Sequence, residues 1–143
     1  LLDRYARWVD ISVGAMTQIL TTAKTSKEIY LGLVEVTRRS QDRKLSAERF
    51  FRAEVLTKAN SSPRFAEKLQ VVQQDLTDSL TDIIREAQER NFYNKNIDPK
   101  AIAVFIQAYT LGKIIDDMST DPVNQEAYEY LINTIIKEVF IKD

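Results

Sequence analysis

Apolar residues recur along this chain at steps of three, four and seven, the spacing of one face of an α-helix and not the alternation of a strand. Leu2, Tyr5, Val9, Met16, Leu20 and Ala23 predict a first helix over residues 2–23. Ser26 is expected to cap a second, from Lys27 to about Arg38, with Ile29, Leu33 and Val36 on one side and the polar stretch Ser40-Gln41-Asp42-Arg43 after it. Ser46 opens a third, whose apolar face reads as Ala47, Phe50, Phe51 and Val55, ending near Ala59-Asn60-Ser61. Ser62-Pro63 starts a long fourth helix, because serine accepts orphan N–H groups and proline has none to waste at the first position. Its stripe is Phe65, Leu69, Val72, Leu76, Leu80, Ile83 and Ala87, and Asn91 is placed to end it in the left-handed conformation. Asp98-Pro99 and Asp121-Pro122 predict starts for a fifth helix, about 99–117, and a sixth, about 122–141.

The last two helices carry more apolar surface than one packing face requires. Ile102, Val104, Phe105, Ile106, Tyr109, Leu111, Ile114 and Ile115 point around most of the fifth, and Tyr128, Leu131, Ile132, Ile135, Ile136, Val139 and Phe140 widen the stripe of the sixth. A second copy of the chain is the simplest cover for such an excess, which predicts a homodimer closed by a four-helix bundle. Phe105, Ile106, Gly112, Tyr128, Leu131, Ile132, Ile135 and Val139 are its expected seam, Gly112 admitting a helix at close range. Burial of both helices within one chain is the alternative.

Composition narrows the rest. Among 143 residues, three glycines and three prolines leave too few turns for a β-sandwich or barrel, so the fold class is all-α, about six helices in a single domain over residues 1–143. Twenty basic residues against twenty-one acidic ones give no field that would hold a nucleic-acid backbone. The chain has no His and no Cys, which removes imidazole acid–base chemistry, thiol nucleophiles, disulfides and Cys/His zinc sites together; an enzyme is not expected, nor a cofactor. The aspartates Asp116, Asp117 and Asp121, and Asp75, Asp78 and Asp82, lack the spacing of a Ca²⁺ loop, and no metal is expected. No apolar run spans a bilayer, so no membrane partner and a cytoplasmic location are expected. The first residue lacks an initiator Met and is already in helical register, the mark of an excerpt from a longer protein.

From Phe50 to Phe140 the chain resembles the C-terminal domain of TetR-family transcriptional regulators. Phe50-Phe51-Arg52-Ala53-Glu54-Val55 is similar to the family's phenylalanine-bearing helix, Ser61-Ser62-Pro63-Arg64-Phe65 to the turn that opens its long central helix, and Arg90-Asn91-Phe92 through Ile97-Asp98-Pro99 to the turn before its penultimate helix, which Ala103 to Gly112 continue. The family commonly has Gly where Asn91 stands. The resemblance implies that the last two helices form the dimer bundle, that the others enclose a cavity for a small effector, and that DNA is bound only through an N-terminal helix-turn-helix domain that this chain lacks.

Within that reading the expected ligand contacts are Tyr5, Trp8, Met16, Phe50, Phe51, Glu54, Gln73 and Tyr109, around a partly apolar effector. Glu54 shares a helix face with Phe50 and Phe51, where it would anchor a cationic or hydroxylated group; the plain alternative is an arginine partner or solvent. Trp8, Tyr5 and Met16 are equally suited to core packing, Gln73 to a solvated surface, and Tyr109 to the seam. A second function class is a helical scaffold or adaptor that turns the same apolar helices on another protein. Packing separates the two, since a sensor needs an internal cavity and a scaffold is close-packed.

Overall fold

A computed structural model describes residues 1–141 of the chain and, among them, an all-α fold without strands. The helices are α1 (Leu2–Thr22), α2 (Ser26–Ser40), α3 (Ser46–Lys58), α4 (Pro63–Glu89), α5 (Pro99–Gly112), the single turn α6 (Ile114–Asp117) and α7 (Gln125–Ile135), which runs into a π-helical segment (Ile136–Ile141). A 3₁₀ turn, Arg43–Leu45, joins α2 to α3. α4 is the central rod, with α1 and α5 packed along it; α2 lies across α1 and the C-terminal helix, and α3 closes the end near α6. Tyr5, Val9 and Leu20 of α1, Leu33 of α2, Val55 of α3, Leu76, Leu80 and Ile84 of α4, Ile102 of α5, and Ile132, Ile136 and Phe140 share one apolar cluster.

Local chemistry sets the helix ends. Ser62 and Asp98 accept from the backbone N–H groups of Phe65 and Ala101, at 3.3 and 3.0 Å, with Pro63 and Pro99 at the first helical position as expected. α2 is capped one residue earlier than its sequence suggests, because Thr25 Oγ1 takes the Glu28 N–H at 3.2 Å while the Glu28 carboxylate returns to the Lys24 N–H. α4 stops in a Schellman turn: Asn91 sits at φ 64°, the Phe92 N–H reaches the Ala87 carbonyl at 2.8 Å, and the Asn91 N–H reaches Gln88 at 3.0 Å. Arg90 then clamps the end of α1, donating to the Leu20 and Ala23 carbonyls at 2.7 and 2.8 Å.

Two expected boundaries move. The fifth helix breaks after Gly112, because the Lys113 ammonium is drawn into the interior between Asp116 (3.0 Å) and Asp117 (3.9 Å), and α6 resumes as a separate turn. Asp121-Pro122 does not start the last helix. Asp116 takes the Val123 N–H at 2.8 Å and Ser119 takes the Asp121 N–H at 3.0 Å, which makes this stretch a turn, and Asn124 is the cap, accepting from Ala127 at 2.9 Å.

Candidate functional site

A cavity of about 340 Å³, partly open to solvent, lies between α1, α2, α3, α4, α5 and the C-terminal helix. That volume lies within the roughly 300–1,000 Å³ of small-molecule sites. Its wall is predominantly apolar, built from Trp8 and Met16 of α1, Leu33 and Val36 of α2, Leu76 and Leu80 of α4, Ile106 of α5, and Ile136 and Phe140. α1 supplies Trp8, Ile11, Ser12, Ala15 and Met16 from one side, because residues three and four apart on a helix project together.

Polar groups enter the wall at few points. Tyr109 and Thr37 share a hydrogen bond at 3.4 Å, and Gln107 stands at the end of a ladder that crosses the bundle. In that ladder the Tyr5 hydroxyl donates to Gln73 Oε1, Gln73 Nε2 donates to Gln107 Oε1, and Gln107 Nε2 donates to Thr77 Oγ1 at 3.1 Å. Tyr93 is buried on the wall and its hydroxyl takes no protein partner among the described residues. Burial raises its pKa well above the ordinary tyrosine value, with the Tyr109 hydroxyl adding to the effect, and burial likewise raises Tyr109 and Tyr5.

A pH dependence follows. A tyrosine that keeps its proton longer in the folded chain than in the unfolded one stabilises the fold fully below the unfolded value of about 10 and less and less above it. Urea unfolding midpoints are therefore expected to hold from pH 8 to about pH 10 and to fall beyond it. Tyr93→Phe should blunt the fall. Midpoints that stay level through this range, or a Tyr93→Phe profile identical to the parent's, would contradict a buried neutral Tyr93.

Three arginines reach the cavity wall, and they differ in their counter-charges. Arg39 pairs with Glu35 at 3.1 Å near the surface. Arg49 is buried against Asp117, their side chains 2% and 1% exposed, with Nη2 donating to Oδ1 at 2.8 Å and Nε to Oδ2. Nη1 and Nη2 also donate to the Ser40 and Asp42 carbonyls at 2.7 and 3.1 Å, so four of its five N–H groups are bonded and it ties α3 to α6 and to the end of α2. Arg52 is only 7% exposed, yet no carboxylate, carbonyl or hydroxyl partners it among the described residues, and its Nε is an orphaned buried donor. It stacks over the Trp8 ring at 4.3 Å. Burial pulls the Arg52 pKa below its ordinary value, opposed by Tyr5 and assisted by the Arg49 cation, although a guanidinium in a protein keeps its proton.

Of the expected ligand contacts, the structure places Trp8, Met16 and Tyr109 on the cavity wall. Tyr5 and Gln73 turn inward but satisfy one another beside the cavity. Phe51 is buried outside it with the Arg4 guanidinium 3.9 Å from its ring centroid, and Phe50 and Glu54 are exposed and do not line it. α3 is turned relative to the expected face, so that Arg49 and Arg52 point inward where Phe50 and Glu54 were expected. A hydrophobicity pattern scores arginine as a surface residue and is blind to this; the signal was the i, i+3 pair of arginines beside Val55.

The expected seam also divides. Phe105, Leu131 and Val139 are exposed, and a side chain at Gly112 would meet nothing within 4 Å, so no helix among the described residues makes the close approach that Gly112 permits. Ile106 lines the cavity, Ile132 is buried in the chain's own core, and Ile135 and Tyr128 pack half-buried against that core. Val104 and Ile115 extend the exposed apolar face instead, 51% and 80% exposed. Asp116 and Asp117 are committed to Lys113, Arg49 and the Val123 N–H. No helix among the described residues is long and apolar enough to cross a membrane.

No protein-family model, no curated protein and no solved structure matches this chain.

Proposed function

We propose that this domain is the effector-sensing and dimerising part of a TetR-like transcriptional regulator. A small organic molecule occupies the central cavity, two chains associate through the exposed apolar faces of α5 and the C-terminal helix, and DNA is bound by a helix-turn-helix domain outside this chain. The cavity is the observation that carries the reading. A helical domain of this size is ordinarily close-packed, and a largely apolar cavity of about 340 Å³ offers a small molecule contacts that water does not match. It also favours a sensor over a close-packed scaffold or adaptor. The exposure of Val104 and Phe105 on α5 and of Leu131 and Val139 on the C-terminal helix, with the unfilled space above Gly112, supports a second copy as the cover. Effector binding then biases DNA binding to the extent that the two conformations of the dimer differ in affinity for the effector.

Native mass spectrometry of the purified protein tests both parts in one spectrum. Twice the mass of one chain is expected, with an added small mass where the effector copurifies. A monomer at micromolar concentration would overturn the dimer.

A further inference from the structure

The polar chemistry of the cavity selects a charge for its ligand. An unpaired charge costs several kcal/mol to bury even after relaxation, and folded proteins ordinarily meet that cost with a counter-ion. Arg49, the other buried arginine of the wall, obeys this rule through Asp117, while Arg39 is 71% exposed and stays in water beside Glu35. Glu48, the one carboxylate among the residues of the wall, is bonded to Arg4 at 3.2 Å. Arg52 alone of these cations has no counter-ion among the described residues: it faces the cavity over the Trp8 ring, which accepts none of its N–H donors in the plane, and its buried Nε is without an acceptor.

Resting on the reading of the cavity as an effector site, we propose that its ligand is an amphipathic organic acid, whose carboxylate meets the Arg52 guanidinium while its apolar body fills the chamber. The planar fork of Arg52 accepts a carboxylate through two parallel N–H donors. Met16, Leu33, Leu76, Leu80 and Ile136 offer the body aliphatic contacts. Thr37, Tyr93 and Tyr109 stand on the same wall, so a hydroxyl or carbonyl farther along the ligand finds a partner there without a second charge. The acidic residue that a sequence reading selects, Glu54, would have implied a cationic or hydroxylated effector; the inward turn of Arg52 calls for an anionic one.

Trp8 is the sole tryptophan and lies on the cavity wall, so its fluorescence reports binding without a label. Three probes of equal chain length separate charge from shape: decanoate, 1-decanol and decylammonium, each titrated below its aggregation concentration. Decanoate is expected to bind about 10- to 100-fold more tightly than decanol, the range of hydrogen bonds to a charged group, and decylammonium not at all. Arg52→Met keeps the length of the side chain without the charge. It is expected to level decanoate with decanol and to raise the melting temperature of the ligand-free protein, since an orphaned cation leaves the interior. Arg52→Lys should retain the preference for decanoate in weaker form. Decanol or decylammonium binding as tightly as decanoate would overturn the organic-acid proposal and leave the cavity an effector site. Trp8 emission unmoved by all three would overturn the effector site and the proposal together. The wild-type comparison stands whether or not the variants fold.

Discussion

Asp117→Ala lowers the free energy of unfolding by about 3–5 kcal/mol, because it leaves the Arg49 guanidinium charged, desolvated and without its counter-ion. For a domain whose whole stability is of the order of 5–15 kcal/mol, that brings the fold close to its limit. The pair is 2% and 1% exposed, so solvent does not step in for the lost carboxylate. Urea denaturation followed by circular dichroism measures the loss directly. Replacing both partners at once, Arg49→Met with Asp117→Leu, is expected to recover much of it, since the cost lies in the orphaned charge more than in the absent bond. A single-variant loss below about 1 kcal/mol would mean that water reaches the pair. The site is affected along with the fold: Arg49 holds α3 against α6, and α3 is the helix that aims Arg52 into the cavity.

Leu131→Asp is expected to convert the proposed dimer to monomers while leaving the helical content of each chain intact. Leu131 is 52% exposed on the outer side of α7, so the aspartate is solvated in the lone chain. In a two-fold symmetric assembly it enters the interface twice, and the desolvated like charges weaken association by at least about a hundredfold. Native mass spectra and circular dichroism read the two quantities separately. The next residue gives the contrast: Ile132→Asp sets its charge in the core of the chain itself, where Ile132 is 5% exposed, and the result there is unfolding. Retention of the parental mass by Leu131→Asp would place any interface elsewhere on the surface.

Much of the fold was legible before any coordinates. Ser62-Pro63 and Asp98-Pro99 mark helix starts because capping is a local matter of one side-chain oxygen and a few N–H groups, and Asn91 ends α4 because asparagine tolerates a positive φ. Asp121-Pro122 misled for the opposite reason. The same dipeptide closes a turn when distant groups take its neighbours' N–H bonds, here Asp116 on Val123, and this tertiary choice leaves no trace in five residues of sequence. The site was legible where it is apolar: Trp8 and Met16 fall on the wall because α1 has one inward side. Its charge was not. Whether an arginine on α3 faces water or the interior depends on a partner 68 positions away in Asp117, and no helical periodicity encodes that pairing.

The π-helical segment that ends the described chain has a consequence for the apolar rows on either side of it. Residues four apart in an α-helix advance by about 40° beyond a full turn, so a row at that spacing spirals off its face. The wider winding of a π-helix, about 4.4 residues per turn, carries the same step back by about 33°. Ile132 to Ile136 is an α step and Ile136 to Phe140 a π step, and the two drifts nearly cancel. The three side chains thus stay in one line against the core, while Leu131, Ile135 and Val139 keep a second line one residue behind them. A change of pitch lets one short helix present two straight edges, an inner one for its own chain and an outer one for whatever meets it.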